Sequence, residues 1–367
     1  MEIKGLDNMQ RWKRIAGVGL GAVLSLLMTA CSILPGLKEN APEPATPTIS
    51  PVIEVSEDYY GSMPPYKENQ TRGMLSRLSQ GSFRIDFSHL ELGLMEIARE
   101  TFATQEYYFQ EGQQIKREQV QAWLSRAKDD PAGQNPDQGP QQLIHVLEHN
   151  YLDKETNQLA GIVIGLSLSP LYEDAAGEEK VYTTDELRAK GQQIAARIVQ
   201  AARAENQQVP MVVALYQVPD RNSTLVPGHF ILTGTVKATE SAVSKWQPID
   251  EKYYLFPSSE AEKEQPQTSL QYDKLLTQAQ SYFPEYMGMT GVGRFMGGKL
   301  TELTITATAE YDSRTEVLQF TQYTSNLINQ LFDSDVHVNL YVQSINQPLA
   351  IYVRPAEGEP YMHIYRK

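Results

Sequence analysis

Cysteine is almost missing from this chain: of 367 residues, one is cysteine, Cys31. A lone thiol closes no intramolecular disulfide, so a disulfide framework is excluded. Positive charge is also short. Lysine and arginine number 32 against 45 aspartates and glutamates, a net charge of −13, which disfavours electrostatic binding to nucleic acid or anionic lipid headgroups. Long apolar runs are missing too, apart from Ile15 to Ala30, which carries no charge. Its sixteen residues fall short of the roughly 20 that a permanent membrane-crossing helix needs.

What is present begins with that run. Lys4, Arg11, Lys13 and Arg14 precede it and a polar, proline-rich segment follows, the pattern of a cleaved secretory signal peptide. Met9 serves as well as Met1 as a start, because the segment from Met9 already has a basic region and an apolar core. Thr29 and Ala30, both small, stand directly before Cys31 and resemble the lipobox of bacterial lipoproteins, in which the thiol receives a diacylglyceryl group. Cleavage is expected between Ala30 and Cys31, with Cys31 lipidated. Two acyl chains on one residue supply the double hydrophobic signal of stable anchoring. The competing reading is an incidental cysteine at the end of a transmembrane anchor. Loss of residues 1–30 removes four basic and two acidic side chains, leaving 28 against 43 and a net charge of −15. Anchoring therefore rests on the lipid.

Residues 31–57 read as the lipidated cysteine and a disordered tether, since Pro35, Pro42, Pro44, Pro47 and Pro51 are scattered among Ala, Thr, Glu and Ser. Two further stretches, "DDPAGQNPDQGPQ" at 129–141 and "PSSEAEKEQPQT" at 257–268, are surface connections by composition. They delimit a block at 58–128, a unit at 142–256 and a unit at 269–367. The first block reads as mainly helical. In "SHLELGLMEIARETF" Ser88 is a candidate cap, with Leu90, Leu94 and Ile97 on one face. In "KREQVQAWLSRAK" Val120, Trp123 and Leu124 form a second stripe.

The other two units read as copies of one plan. "LIHVLEHNYL" and "LAGIVIGLSL" flank a polar turn, a helical stretch runs from Thr184 to Ala204, and "VPMVVALYQV" and "GHFILTGTV" follow. Likewise "MTGVGRFM" and "LTELTITATAEY" flank Gly297 and Gly298, a helical stretch runs from Arg314 to Leu331, and "VHVNLYVQS" and "LAIYVRP" follow. Both give β-hairpin, helix, β, β. The expected class is α+β: two related units with mainly antiparallel sheets, preceded by the helical block.

Three constellations carry candidate chemistry. "HVLEH" places His145, Glu148 and His149 in the H-x-x-E-H order of inverted zinc peptidases. On a strand, however, His145 and His149 share a face and Glu148 points away. "GRFMGGKL" satisfies G-x-x-x-x-G-K through Gly293, Gly298 and Lys299, but a phosphate loop must open a helix and the residues after it alternate as a strand. The third is a set of tyrosine-rich polar stretches, in which Arg72, Tyr107, Tyr108, Arg221 and His229 are candidates for lining a ligand groove. The plainer reading is loops and strand ends where tyrosine packs its ring and wets its hydroxyl.

Beyond the lipobox, the segments "PYKENQTRG", "YYFQEGQ", "SKWQP" with "IDEKYYLFPS", "YFPEYMGMTGVGRF" and "LQFTQY" together resemble the CamS sex pheromone lipoproteins of Gram-positive bacteria. The resemblance implies a surface lipoprotein whose cleaved signal peptide releases a short hydrophobic peptide acting as a mating pheromone for conjugative plasmids. That peptide corresponds here to Leu24, Ser25, Leu26, Leu27, Met28, Thr29 and Ala30. The family supplies no catalytic residues, so no enzyme activity, cofactor or metal is expected. The expected function is a non-catalytic lipoprotein on the outer face of the cytoplasmic membrane. Its partners are membrane lipid, through diacylglyceryl-Cys31, and a peptide, glycan or protein, with no nucleic acid. The alternative is a cell-envelope metal-dependent hydrolase using the HVLEH segment.

Overall fold

A computed structural model describes residues 59–74, 84–204, 208–219, 225–282 and 287–366. Cys31, the segment Leu24 to Ala30, the tether and Arg221 lie outside the described residues. No helix among the described residues is long and apolar enough to cross a membrane.

The repeated plan starts from two hairpins. Strands β3 (Leu143–Asp153) and β4 (Leu159–Leu168) pair antiparallel, and so do β11 (Gly288–Met296) and β12 (Lys299–Thr308). Gly297 and Gly298 join the second pair at φ 58° and 78°, the left-handed backbone that a two-residue hairpin turn demands and glycine supplies. Gly298→Ala is expected to lower stability by about 1 kcal/mol, read as a shifted denaturant midpoint. A helix then carries the chain back over the sheet. After α3 (Thr184–Ala204), β7 (Met211–Gln217) lies parallel to β4. After α6 (Arg314–Leu331), β13 (His337–Gln343) lies parallel to β12. Each copy closes with an antiparallel partner, β8 (His229–Val236) in the first and β14 (Pro348–Arg354) in the second.

The repeat extends beyond β-hairpin, helix, β, β. Strand β2 (Tyr107–Glu111) pairs antiparallel with β3, and β10 (Glu251–Phe256) pairs antiparallel with β11. A helical connection follows each: α2 (Arg117–Trp123) in one copy, α4 (Ser259–Glu264) and α5 (Pro266–Tyr282) in the other. Edge strands β9 (Lys245–Pro248) and β15 (Tyr361–Ile364) finish the two sheets. The block at 58–128 thus holds helices α1 (Phe87–Arg99) and α2 but also gives β1 (Gly61–Ser62) and β2 to the first sheet. Residues 251–256, read as part of the first unit, belong to the second sheet. Their aromatic rings explain it. Tyr254 and Phe256 stand opposite Gly293 and Gly291, and a Cβ at Gly293 would come within 2.9 Å of the Phe256 ring. A short two-stranded sheet, β5 (Leu171–Glu173) with β6 (Glu179–Val181), is inserted before α3.

Helix α1 packs on one face of the first sheet through Leu90, Leu94 and Ala98, meeting Val212 and Phe230. Its cap is Asp86, whose carboxylate accepts from His89 N at 3.2 Å. Ser88, the candidate cap by sequence, stands inside the helix. Helices α2 and α3 cover the opposite face through Trp123, Leu187, Ile194 and Ile198. In the second sheet, Leu303, Ile305 and Ala307 of β12 and Val338, Leu340 and Val342 of β13 point into one core with Val317, Phe320 and Tyr272 of the helices. The intervening residues point the other way. That second face carries neither α5 nor α6, and it becomes one wall of the site described next.

Candidate functional site

Two walls enclose a cleft of about 660 Å³, within the usual range for small-molecule sites. One is the outer side of α1, with His89, Leu92, Met95 and Glu96. The other is the open face of the second sheet, with Tyr253, Glu302, Thr304 and Tyr341. The walls come together because Leu90 and Leu94 fix α1 on the first sheet, leaving its polar side outward.

An ion-pair cluster closes the inner end. Arg294 of β11 reaches Glu251 of β10 at 2.7 Å and Glu96 of α1 at 2.8 Å. Glu251 also accepts the backbone N–H of Phe230 at 2.6 Å, so one carboxylate ties β8 to β10. Its side chain is 2 % exposed and that of Arg294 19 %. Tyr253 donates to Glu251 at 3.3 Å, and burial holds its phenol well above the usual range. Beyond the cluster runs a hydrogen-bonded row: His337 Nε2 meets Asn339 Oδ1 at 3.2 Å, and Asn339 donates to Glu302 at 3.2 Å and Thr304 at 3.5 Å.

The groove residues chosen from sequence are not brought together. Arg72 pairs with Glu111 beside β2. Tyr107 sits edge-on to Phe102 at 5.4 Å, while Tyr108 lies under Lys154 at 5.3 Å. His229 opens β8, four strands away from β2 in the sheet order, which is about 19 Å. It also points to the α3 side, since Phe230 faces α1. Burial, then Lys252 and Arg188, push it down to about 4. The cleft is lined instead by residues that no sequence motif singles out. Their signal was the alternation in "LTELTITATAEY" and "VHVNLYVQS", whose outward positions read as ordinary solvent-facing polarity.

The HVLEH segment lies in β3. His145 contacts Met74 O through Nδ1 at 2.7 Å, and His149 sits edge-on to Phe109 at 4.9 Å. Glu148 points to the opposite face and accepts from Gln114 N at 3.0 Å and Ile115 N at 2.8 Å. One ion cannot reach all three across the sheet. Lys299 starts β12 rather than a helix and pairs with exposed Asp335. Burial raises the Glu148 carboxyl above its usual range and depresses the histidines, His145 to about 4 and His149 to about 3. Below pH 6.5 the unfolded chain therefore binds protons that the fold refuses, so stability drops as pH falls from 6.5 toward 4. Replacing His149 by Phe should flatten that loss by about 1.4 kcal/mol per pH unit, measured by denaturant unfolding at a series of pH values.

The class so defined is an α+β protein of two repeated units with a ligand-sized cleft against α1. The family model described as CamS sex pheromone cAM373 precursor matches residues 66–360, and the chain belongs to that family. The crystal structure of a sex pheromone precursor from Lactobacillus salivarius subsp. salivarius UCC118 is similar, at 23% identity and a TM-score of 0.73, covering 85% of this chain and 97% of that one. The C-terminal domain of the sex pheromone staph-cAM373 precursor from Staphylococcus aureus is similar at 24% identity and a TM-score of 0.65, covering 76% and 96%. Both share the α+β fold. No match is found among curated protein sequences.

Proposed function

We propose that the chain is a non-catalytic lipoprotein, anchored through Cys31 to the outer face of the cytoplasmic membrane, whose folded part binds a cell-envelope ligand in the cleft. The observation that carries this reading is the cleft itself. Leu92 and Met95 of α1 face polar side chains already held in place by one another, and preorganised groups lose less freedom on binding. Filling it with Thr304→Trp in the purified mature protein tests the reading. Retention on washed, delipidated cell envelopes that disappears in the variant supports it; equal retention of both proteins contradicts it.

Family membership supports a second role for the signal peptide as precursor of "LSLLMTA", Leu24 to Ala30. The synthetic heptapeptide is expected to raise conjugative transfer in a plasmid-bearing responder strain, and a scrambled peptide to leave it unchanged.

A further inference from the structure

Building on the cleft as the binding site, we infer that its ligand is an oligosaccharide, bound along a track from the cleft across the open face of the second sheet to β15. Both walls are faces, a helix side and a sheet surface, and the inner strands β12 and β13 that carry Glu302, Thr304, Asn339 and Tyr341 pair with neighbours on both sides. An extended peptide gains affinity by pairing with a free strand edge; the edges of this sheet are β10 and β15, whereas the polar row and Tyr341 stand on the face of the inner strands β12 and β13. A sugar brings its own donors and acceptors on hydroxyl groups.

Asn339 both donates and accepts, Thr304 does the same, Glu302 accepts, and the His337 ring does either according to its tautomer. Such a mixture suits adjacent hydroxyls. Arg294 is taken up by two carboxylates, Glu96 and Glu251, which disfavours an anionic ligand at the inner end of the cleft. Among the described residues no lysine or arginine pairs with Glu302.

Tyr341 of β13, 42 % exposed, stands opposite Ile351, which stands opposite His363 of β15. Tyr361, on the same side as His363, is 59 % exposed, and the two rings lie 7° from parallel. Exposed flat rings beside polar groups present apolar surface to the C–H face of a sugar. From β13 to β15 is two strand spacings, about 10 Å, so the surface suits several sugar units rather than one.

The test is calorimetric titration of detergent-solubilised mature protein with chitotetraose, cellotetraose and, separately, tetralysine. Binding of either oligosaccharide, weakened about tenfold by Tyr341→Ala or Asn339→Ala, supports the inference. Tetralysine binding that Asn339→Ala or Tyr341→Ala weakens, without oligosaccharide binding, overturns the glycan assignment and leaves the cleft standing. Oligosaccharide binding untouched by both variants overturns the track and the cleft together. So does a mass that doubles with concentration and reverts in Tyr341→Ala, since a second copy would then cover the face. Binding of none of the probes overturns the glycan assignment alone, provided that envelope retention still depends on Thr304.

Discussion

Cys31→Ala is expected to abolish incorporation of a fatty-acid analogue completely and to leave the chain uncut before residue 31. The thiol is the only sulfhydryl in 367 residues, so no other cysteine substitutes as acceptor. Labelled cells should lose the band at the size of this protein while an antibody still detects the chain. The uncut variant keeps an apolar run of sixteen residues, shorter than a stable span of roughly 20, so its hold on the membrane should be weaker than that of the diacylated protein. Label surviving in the variant would remove the basis for placing the protein on the membrane surface through this residue.

The second large effect is on stability. Arg294→Met is expected to cost about 3 kcal/mol, because it leaves the Glu251 carboxylate, 2 % exposed, without its cation, and breaking a buried pair from one side typically costs 3–5 kcal/mol. Glu251 retains the Phe230 amide and Tyr253 hydroxyl, which favours the low end. The double variant Arg294→Met, Glu251→Gln should recover most of the loss, since no buried charge is then stranded. Denaturant unfolding of the three proteins checks both statements. A single variant within 1 kcal/mol of the parent would mean that the cluster behaves as an exposed pair.

The duplication was legible because its signals are local. Gly297 and Gly298 announce a tight turn, and alternation through Leu303, Ile305 and Ala307 announces a strand with one buried side. Helix α6 declares itself by Ser313 at its cap, accepting from Glu316 N. The sheet boundary was not legible. Glu251 to Phe256 reads equally well as the last strand of one unit or the first of the next, and only its pairing with β11, beyond α4 and α5, decides. The cleft was hidden for a related reason. Glu302, Thr304, Asn339 and Tyr341 alternate with apolar neighbours as any solvated strand face does, and nothing local says that α1 lies near them. Conversely, Arg72, Tyr107 and Tyr108 attracted notice through composition alone, while their positions beside β2 serve an edge contact and ring packing.

On the proposed reading, the folded part works through the cleft between α1 and the second sheet. Amide hydrogen exchange of the mature protein, with and without a lysozyme digest of cell wall, tests it most directly. The cleft predicts added protection in residues 88–99 of α1 and residues 301–304 and 337–341 of β12 and β13, lost in Thr304→Trp. Protection confined to residues 107–111 and the flanking Arg72 would contradict it and return the site to the edge of the first sheet.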